Sequence, residues 1–576
     1  MSLVRYDKYY TYAELKEVLE QFRERYPHLI RLQVLGRSHE GRELHLAVVS
    51  NLGTEEEADQ KPALWVDGNI HATELAPSTA CLHLIETLLE GYGKEREITH
   101  CLDTRTFYIC PRLNPDGAEW ALAPSPRFVR SGVRPYPFRY GLEEGLVVED
   151  VDGDGRVLSM RIPDPNGAWK KCPQQPRLMV PRQPEEVEGE FYRILPEGRI
   201  LEYDGATIGK CPPKEGLDFN RNFPFLWRPE GEQEGAGEFP TSEPEVRAVV
   251  AFLTSHPNIT GAVSFHTHSG VLLRPYSHLS DEQMIAEDLG VYRAIGKKGE
   301  ELTGYPAVSV YEGFRYHPQK YISGAFDDWV YEHLGIYAWT VEMWSPQRQA
   351  GIEDYDFIEW YRSHLLEDDL KLLHWSDTAL GGQGYVDWYP FDHPQLGKVE
   401  LGGWDWFSTF SNPPFAFLKA EVERYPRWLV WHLLLSPRLE LWEVKTKYLG
   451  EDFYRVQMVV QNKGWLPSYI TKKALERKIT EGVRFELELL SEGMELISGK
   501  RIQLQNELEG RCYQPSAPMG WEFWLRGDLT RDRAKAEWVV RVKNNATARL
   551  TAYHPRAGSV QTTLEWGGDE NKYLRL

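Results

Sequence analysis

The segment HATE contains a histidine and a glutamate three residues apart, His71 and Glu74, directly after a predicted buried strand at 63–68. Residues at positions i and i+3 lie on one side of a turn or of the first turn of a helix. Imidazole and carboxylate groups are strong zinc ligands, and an open catalytic zinc site combines three protein ligands with a water molecule. The pair therefore predicts two metal ligands, and an ordinary surface pair with this spacing is the alternative that the segment alone leaves open.

A third ligand must come from elsewhere in the chain. The segment SFHTHSG offers His266 and His268 at the end of another apolar run, 261–266. The two histidines are two residues apart, so they share a face if the strand continues through them. From the residues alone, either histidine could be the ligand, and either could be packed or exposed without a metal.

Alternating helix and strand signals place these residues in an α/β domain. Apolar residues recur at helical spacing in some segments, and short apolar runs predict strands in others. This alternation predicts a mixed central sheet covered by helices on both faces. The predicted helices lie at 13–26, 78–93, 242–256 and 355–375, and the predicted strands at 29–36, 44–50, 63–68, 261–266 and 335–344.

The pattern changes near residue 378, where a segment rich in glycine, proline and aromatic residues begins. After a predicted helix at about 418–436, short alternating runs separated by turn residues are typical of an antiparallel β-sandwich. The predicted domains are a catalytic domain at 1–378, a linker with a helix at 379–440 and a β-sandwich at 441–576.

Composition limits the partners of the protein. The net charge is −20, from 66 basic and 86 acidic residues, which is unfavourable for binding nucleic acid or anionic membranes. The sequence has no apolar run long enough to span a membrane and no secretory signal at its start. Its six cysteines include no C-x-x-C pair. We therefore expect no nucleic-acid or membrane partner and a cytoplasmic location.

Six motifs in a fixed order carry a family resemblance. The chain resembles the zinc metallocarboxypeptidases, the carboxypeptidase A-like peptidases, over roughly residues 7–376. The resemblance implies one zinc ion per chain, held by His71, Glu74 and His266. It favours His266 over His268 because Thr267 and the stretch 273–276 match the residues that come after the family's ligand histidine. The motifs are HATE, NPDGAEW (114–120), LDFNRNF (217–223), SEPE (242–245), FHTHSGVLLRPY and TVEMW (340–344).

The resemblance also implies the residues of the reaction. Glu342 lies within the apolar segment TVEMW, where a carboxylate is costly without a partner or a task, and the family's general base occupies this position. It accepts a proton from the attacking water and passes it to the leaving amine. The arginine that stabilises the oxyanion corresponds best to Arg130, with Arg127 and Arg134 as rivals.

Substrate binding is implied by three further motif positions. Asn220 and Arg221 correspond to the family's clamp on the terminal carboxylate, which an arginine fork can bind with two parallel hydrogen bonds. The tyrosine that closes over the substrate corresponds to Tyr321, but this loop is one residue short of the family pattern, and Tyr316 stays open as an alternative. Asp327 occupies the pocket position at which an aspartate accompanies basic C-terminal residues; otherwise it is an acid that favours a helix N-terminus.

The chain departs from the family pattern in two places. Thr73 precedes the ligand glutamate where many relatives have an arginine. An insertion at about 141–215 contains DVDGDG, in which Asp150, Asp152 and Asp154 have the spacing of an EF-type calcium loop. The twelfth loop position is Arg161, which excludes a standard EF-hand, so a looser calcium loop and a plain acidic turn both stay open.

The sequence thus predicts a zinc metallocarboxypeptidase that binds peptides with a free C-terminal carboxylate. One alternative is a zinc amidohydrolase that acts on N-acyl amino acids, which shares the ligand pattern but is not expected to have NPDG and the Asn220–Arg221 clamp in these places. The second alternative is an inactive, peptidase-like binding protein, which would normally lack a ligand or the base.

Overall fold

The computed structural model describes residues 2–137, 143–512, 530–543 and 545–566. Its strands are β1 (Ile30–Arg37), β2 (Glu43–Val49), β3 (Ala63–Gly68), β4 (Thr106–Cys110), β5 (Gly145–Val148), β6 (Ser159–Pro163), β7 (Trp169–Lys171), β8 (Met179–Pro181), β9 (Tyr192–Pro196), β10 (Gly198–Leu201), β11 (Ile259–Thr267), β12 (Val271–Arg274), β13 (Ala307–Ser309), β14 (Tyr337–Met343), β15 (Tyr385–His393), β16 (Gly397–Trp404), β17 (Leu439–Gly450), β18 (Phe453–Asn462), β19 (Arg484–Leu489), β20 (Met494–Ser498), β21 (Ile502–Leu504), β22 (Arg533–Val542), β23 (Ala546–His554) and β24 (Gly558–Trp566). Its α-helices are α1 (Tyr12–Arg25), α2 (Ala76–Gly91), α3 (Arg96–Thr104), α4 (Pro115–Ala121), α5 (Pro244–Ser255), α6 (Ala286–Thr303), α7 (Val310–Gly313), α8 (Phe326–Trp329), α9 (Pro346–Gln349), α10 (Leu366–Ala379), α11 (Phe415–Val422), α12 (Pro426–Leu434) and α13 (Lys472–Arg477).

An eight-stranded mixed sheet forms the centre of the first domain, in the order β1-β2-β4-β3-β11-β14-β12-β13. Strands β4, β3, β11 and β14 run parallel, so their carboxyl ends meet at one edge. Every residue of β3, β11 and β14 is buried, which explains their nearly continuous apolar sequence. The predicted α/β class is confirmed, and this edge of the sheet is where ligand sites form in such folds.

Two predicted helices differ from the observed ones for local reasons. The helix expected at 355–375 is divided into a 3₁₀ turn, Glu359–Tyr361, and α10; the Asp356 carboxylate accepts the backbone N–H groups of Ile358 and Glu359 at 2.9 and 2.6 Å at the start of the 3₁₀ turn. The helix expected at 418–436 is divided into α11 and α12. Pro426, which lacks an N–H group, is the first residue of α12 and is suited to that position.

The insertion pairs with a segment more than 200 residues later in the sequence. Strands β6, β9, β7 and β8 of the insertion join the hairpin β15–β16 in one six-stranded sheet. The join is antiparallel, with Met160 opposite Leu401. The glycine- and proline-rich segment that comes after residue 378 is thus part of a sheet with its own small core around Met160, Val399 and Leu401.

The C-terminal strands form two antiparallel four-stranded sheets, β17-β18-β22-β20 and β21-β19-β23-β24. Alternate residues of β18, β22 and β23 are buried, and they share one apolar core that includes Phe485, Trp538 and Leu550. The predicted C-terminal β fold is confirmed.

The C-terminal sheets contact the first domain through buried polar groups. The Arg556 guanidinium donates to the backbone carbonyls of Leu334 and Gly335, and the Thr471 hydroxyl donates to Gly335 at 2.8 Å. The two carbonyls end the one-turn π-helix Val330–Leu334, which directly succeeds α8. Among the described residues, none of the helices is long and apolar enough to cross a bilayer.

Candidate metal centre and active site

His71, Glu74 and His266 converge beyond the carboxyl ends of β3 and β11. The Nδ1 atom of His71 lies 2.8 Å from Glu74 Oε1 and 3.1 Å from Nδ1 of His266. The second Glu74 oxygen lies 3.3 Å from His266 Nδ1. All three side chains are buried, and their ligand atoms lie within 4.8 Å of one another.

The outer hydrogen bonds determine which nitrogen faces the centre. His71 Nε2 lies 3.1 Å from Asp218 Oδ1, and His266 Nε2 lies 3.2 Å from the Ser264 hydroxyl, which donates to Asp67 at 2.6 Å. An Nε2–H donor on each ring leaves both Nδ1 lone pairs directed at the Glu74 carboxylate. Lone pairs at such separations repel one another unless a proton or a metal cation lies between them. Two imidazoles and a carboxylate are a zinc donor set, so the residues fit the metal that the sequence implies.

The HATE loop is held by backbone and amide contacts. Asn69 has a positive φ of 59°, and its side-chain amide donates to the carbonyls of His71 and Glu74 at 2.8 and 2.9 Å. A Cβ atom at Gly117 would lie 2.6 Å from Ala72 Cβ. Glycine in NPDG therefore lets the start of α4 pack directly against the ligand loop.

The NPDG asparagine connects this loop to the predicted oxyanion arginine. Asn114 caps α4 by accepting the Gly117 N–H, and its amide donates to Ser131 O at 2.6 Å. The neighbouring Arg130 carbonyl accepts the N–H of Ala72 at 2.9 Å. The motif thus holds the Arg130 backbone beside the ligand loop.

His268 lies outside the convergent group. Its Nδ1 accepts the Tyr361 hydroxyl at 3.0 Å, and that hydroxyl accepts the Gln347 amide at 2.8 Å. Burial lowers the pKa of His268 to about 4, so it is a neutral, hydrogen-bonded side chain.

Glu342 lies on β14 directly opposite His266 on β11. It lines the same pocket as His71 and Arg130. Burial, followed by the Glu74 carboxylate, raises the pKa of Glu342 well above its ordinary value, while Arg130 and Arg221 oppose that rise. A carboxylate with an increased proton affinity beside a metal centre can act as a base and hold the proton it takes.

The three arginines considered from the sequence have different surroundings. Arg130 bridges two acids of the centre, with Nε 3.0 Å from Asp218 Oδ2 and Nη1 3.4 Å from Glu74 Oε1. Arg127 stacks on Trp120 at 3.9 Å, and Arg134 pairs with Glu243. Of the three, Arg130 lines the pocket.

Asn220 and Arg221 line the pocket from a 3₁₀ turn, Phe219–Arg221. The Asn220 side-chain oxygen accepts the N–H of Phe326 at 2.8 Å, which fixes the start of α8. A Cβ atom at Gly324 would lie 2.2 Å from Arg221 O, so this close approach requires glycine. The clamp residues and α8 therefore form one wall of the pocket.

The two tyrosine candidates lie in different places. Tyr316 lines the pocket together with His71 and Arg130. Tyr321 is not among the pocket residues; its ring lies 4.4 Å from the Arg228 guanidinium.

Asp327 lines the pocket and is buried. Its Oδ1 accepts the N–H of Asp328, and its Oδ2 has no hydrogen-bond partner among the described residues. Burial, followed by the Asp328 charge, raises the pKa of Asp327 to about 7. A buried carboxylate oxygen without a partner is costly, and a cation in the pocket would remove that cost.

The acidic loop of the insertion gathers a different group from the one the sequence indicates. Asp150 and Asp152 lie with Glu197, which is buried, and their oxygens come within 4.8 Å of one another. Asp154 instead pairs with Arg156. Both Glu197 oxygens accept backbone N–H groups, from Val151 and Leu158. Sequence reasoning missed Glu197, which lies 43 residues beyond Asp154.

Sequence reasoning also gave no role to Asp218, although it lies in the LDFNRNF motif. Asp218 accepts from both His71 and Arg130, so one carboxylate orients a predicted ligand and the predicted oxyanion group. Its position in this motif, two residues before the predicted clamp residue Asn220, could have indicated a role in the site.

The zinc carboxypeptidase family model matches residues 15–360, more than half of the 576 residues. The chain belongs to the zinc carboxypeptidase family. A second model, for a domain of unknown function (DUF8731), matches residues 438–565.

Among curated zinc carboxypeptidases, carboxypeptidase B2 of Bos taurus is 25% identical over 353 residues, which cover 59% of this chain and 63% of that protein. Carboxypeptidase A1 of Mus musculus is 23% identical over 351 residues, covering 61% of this chain and 65% of that protein. A crystal structure of thrombin activatable fibrinolysis inhibitor is 25% identical, with a TM-score of 0.38, over 59% of this chain and 67% of that one. The chain thus spans somewhat less than two thirds of these curated relatives.

Proposed function

We propose that this protein is a zinc-dependent carboxypeptidase that hydrolyses the C-terminal peptide bond of peptides. The observation that carries the proposal is the convergence of His71, Glu74 and His266 at a pocket that also contains Glu342 and Arg221. A metal centre, a base and a cation for a terminal carboxylate are the components that this reaction needs.

Bound zinc would supply a Lewis acid that polarises the scissile carbonyl and lowers the pKa of water. Glu342 accepts a proton from the attacking water and delivers it to the nitrogen of the leaving residue.

Arg130 stabilises the negative oxygen that develops on the scissile carbonyl. Asp218 and Glu74 fix its guanidinium beside the centre, so little reorganisation is needed as charge develops. Loss of one such donor typically raises a barrier by about 3 kcal/mol.

Asn220 and Arg221 bind the terminal carboxylate of the peptide. An arginine fork can make two parallel hydrogen bonds to a carboxylate, which a C-terminal amide cannot accept equally well. The clamp therefore restricts cleavage to the end of the chain.

Asp327 selects peptides with a basic C-terminal residue. Its carboxylate lies in the same pocket as Arg221 and has one oxygen without a hydrogen-bond partner in the described part of the chain, so a lysine or arginine side chain would pair with it. An apolar side chain would leave the carboxylate desolvated and unpaired.

The experiment uses matched peptides that end in a free carboxylate or in an amide, and an N-acetyl amino acid, each incubated with zinc-loaded protein. We expect release of the last residue from the free peptide, little cleavage of the amidated one and little from the N-acetyl amino acid. Preferred cleavage of the N-acetyl amino acid would support the amidohydrolase alternative. Binding of the free peptide without cleavage would support an inactive binding protein.

A further inference from the structure

Asn412 lies outside the residues matched to the peptidase family and yet touches the HATE loop. Its side chain is completely buried. The Oδ1 atom accepts the N–H groups of Leu75 and Ala76 at 2.8 and 3.1 Å, and Nδ2 donates to Thr73 O at 2.8 Å. These three hydrogen bonds reach the residues on both sides of Glu74.

The start of α2 explains why an external asparagine is needed there. The first N–H groups of a helix have no partner within the helix, and a polar side chain at the N-cap usually satisfies one of them. The N-cap of α2 is Leu75, which has no capping group. Asn412 supplies the missing acceptor from a position 337 residues later in the chain.

The segment that carries Asn412 also contacts the other catalytic elements. We call residues 407–412 the bridging segment. Its Thr409 carbonyl accepts the indole N–H of Trp344 at 2.8 Å, two residues beyond Glu342. Its Phe407 ring stacks on Phe128, two residues before Arg130, with ring centroids 4.8 Å apart. The bridging segment therefore contacts the HATE loop, the residue that comes directly after β14 and the segment that leads to Arg130.

We propose that Asn412 is a positioning residue for the metal, which holds the backbone of Glu74 so that its carboxylate faces His71 and His266. The inference rests on the proposed zinc site. The Glu74 carboxylate also accepts the Thr267 N–H at 3.1 Å. The Glu74 side chain therefore cannot rotate to compensate for a backbone shift without losing this hydrogen bond. A shift of the loop backbone would therefore pull the carboxylate away from the two imidazoles.

The expected effect is a loss of zinc affinity. Groups that orient metal ligands typically change metal affinity by about 10- to 100-fold when they are removed. Asn412→Ala removes these three hydrogen bonds and a fourth from Nδ2 to Phe407 O at 3.2 Å, so we expect a zinc Kd at least about tenfold weaker. Asn412→Asp keeps the acceptor for Leu75 and Ala76 but loses the donor to Thr73, so we expect an intermediate Kd.

Asn462 offers a matched control. It is a buried asparagine in the C-terminal sheets, where Oδ1 accepts the N–H groups of Arg438 and Gly464 and Nδ2 donates to Leu466 O at 2.8 Å. With a further bond from Nδ2 to Glu509 O at 3.2 Å, Asn462→Ala also removes four hydrogen bonds, none of them to the HATE loop. It should lower the melting temperature without changing the zinc Kd.

The test measures the zinc Kd of each full-length variant by competition with a chromogenic chelator, and the melting temperature of each metal-free form. Weaker zinc binding in Asn412→Ala and Asn412→Asp, with parental binding in Asn462→Ala, is the expected result. Parental zinc binding in Asn412→Asp, or equal weakening in Asn462→Ala, would overturn the role of Asn412 even if Asn412→Ala did not fold. A parent that does not bind zinc would instead refute the proposed function.

Discussion

Glu342 and His266 face each other across neighbouring parallel strands, paired in register at the carboxyl ends of β14 and β11. The sheet thus sets the separation of the proposed base and a proposed metal ligand through backbone hydrogen bonds, without relying on a loop. Sites built on regular elements are held more precisely than sites built on loops.

The first prediction concerns the base. Glu342→Gln should keep the fold and zinc but lose nearly all turnover, because an amide cannot accept the proton of the attacking water. The measurement is kcat on a peptide with a free C-terminus, with zinc content determined in the same sample. Glu245→Gln is the control, since Glu245 is another buried glutamate with a raised pKa, of about 8, outside the pocket. Near-parental turnover in Glu342→Gln would refute the assigned base.

The second prediction concerns the third ligand. His266→Ala should abolish stoichiometric zinc binding, whereas His268→Ala should retain it, because His268 bonds Tyr361 and lies outside the convergent group. Metal analysis after dialysis measures both. Loss of zinc in His268→Ala but not in His266→Ala would instead identify His268 as the third ligand.

The third prediction concerns substrate choice and its pH dependence. Asp327→Asn should lower the preference for a C-terminal lysine over phenylalanine by roughly 30-fold, since removing one partner of a desolvated charge pair costs about 2 kcal/mol. The measurement is the ratio of kcat/KM for two peptides that differ in the last residue.

The raised pKa of Asp327 predicts how the ratio of kcat/KM for the lysine and phenylalanine peptides changes with pH. The carboxyl is charged above about pH 7 in the free protein, while a substrate lysine stays charged up to its pKa of about 10.4. The lysine preference of the parent should therefore increase as pH rises through about 7, and that of Asp327→Asn should stay flat. A parent that prefers phenylalanine at every pH would contradict the pocket assignment.

The fourth prediction separates the two tyrosines. Because Tyr316 lines the pocket and Tyr321 packs on Arg228, Tyr316→Phe should lower kcat/KM more than Tyr321→Phe. Steady-state kinetics on one peptide compares the pair, and each variant is the control for the other. A larger loss in Tyr321→Phe would favour the position suggested by the family motif.

The fifth prediction concerns the acidic loop. If Asp150, Asp152 and Glu197 bind calcium, calcium chloride should raise the melting temperature of the parent but not of an Asp150→Asn, Asp152→Asn variant, by mass action on the folded state. Magnesium chloride is the ionic control. Asp204→Asn is the matched variant, since Asp204 also accepts loop N–H groups but belongs to an exposed turn. If calcium does not raise the melting temperature of the parent more than magnesium does, the loop is an acidic turn without a calcium site.

Local signals were sufficient to predict the central strands and the segments that bring His71, Glu74 and His266 together. The runs 63–68 and 261–266 are apolar because both faces of β3 and β11 are buried, and the polar ligands come where each strand ends. Contacts between residues distant in sequence were not predictable in this way. Neither the pairing of the 385–404 hairpin with the insertion nor the cap from Asn412 leaves a periodic signal in its own segment.

The hydrogen bonds from Arg556 and Thr471 to Leu334 and Gly335 have a consequence for how separable the two parts of this protein are. The helical turns that contain Asp327, α8 and the π-helix after it, end against the C-terminal sheets, so the DUF8731 region helps to complete the packing of the first domain. We expect a gene shortened to residues 1–437 to give an aggregation-prone product. When the first domain is exchanged between relatives, we therefore expect a folded product only if the C-terminal region of the same protein is transferred with it.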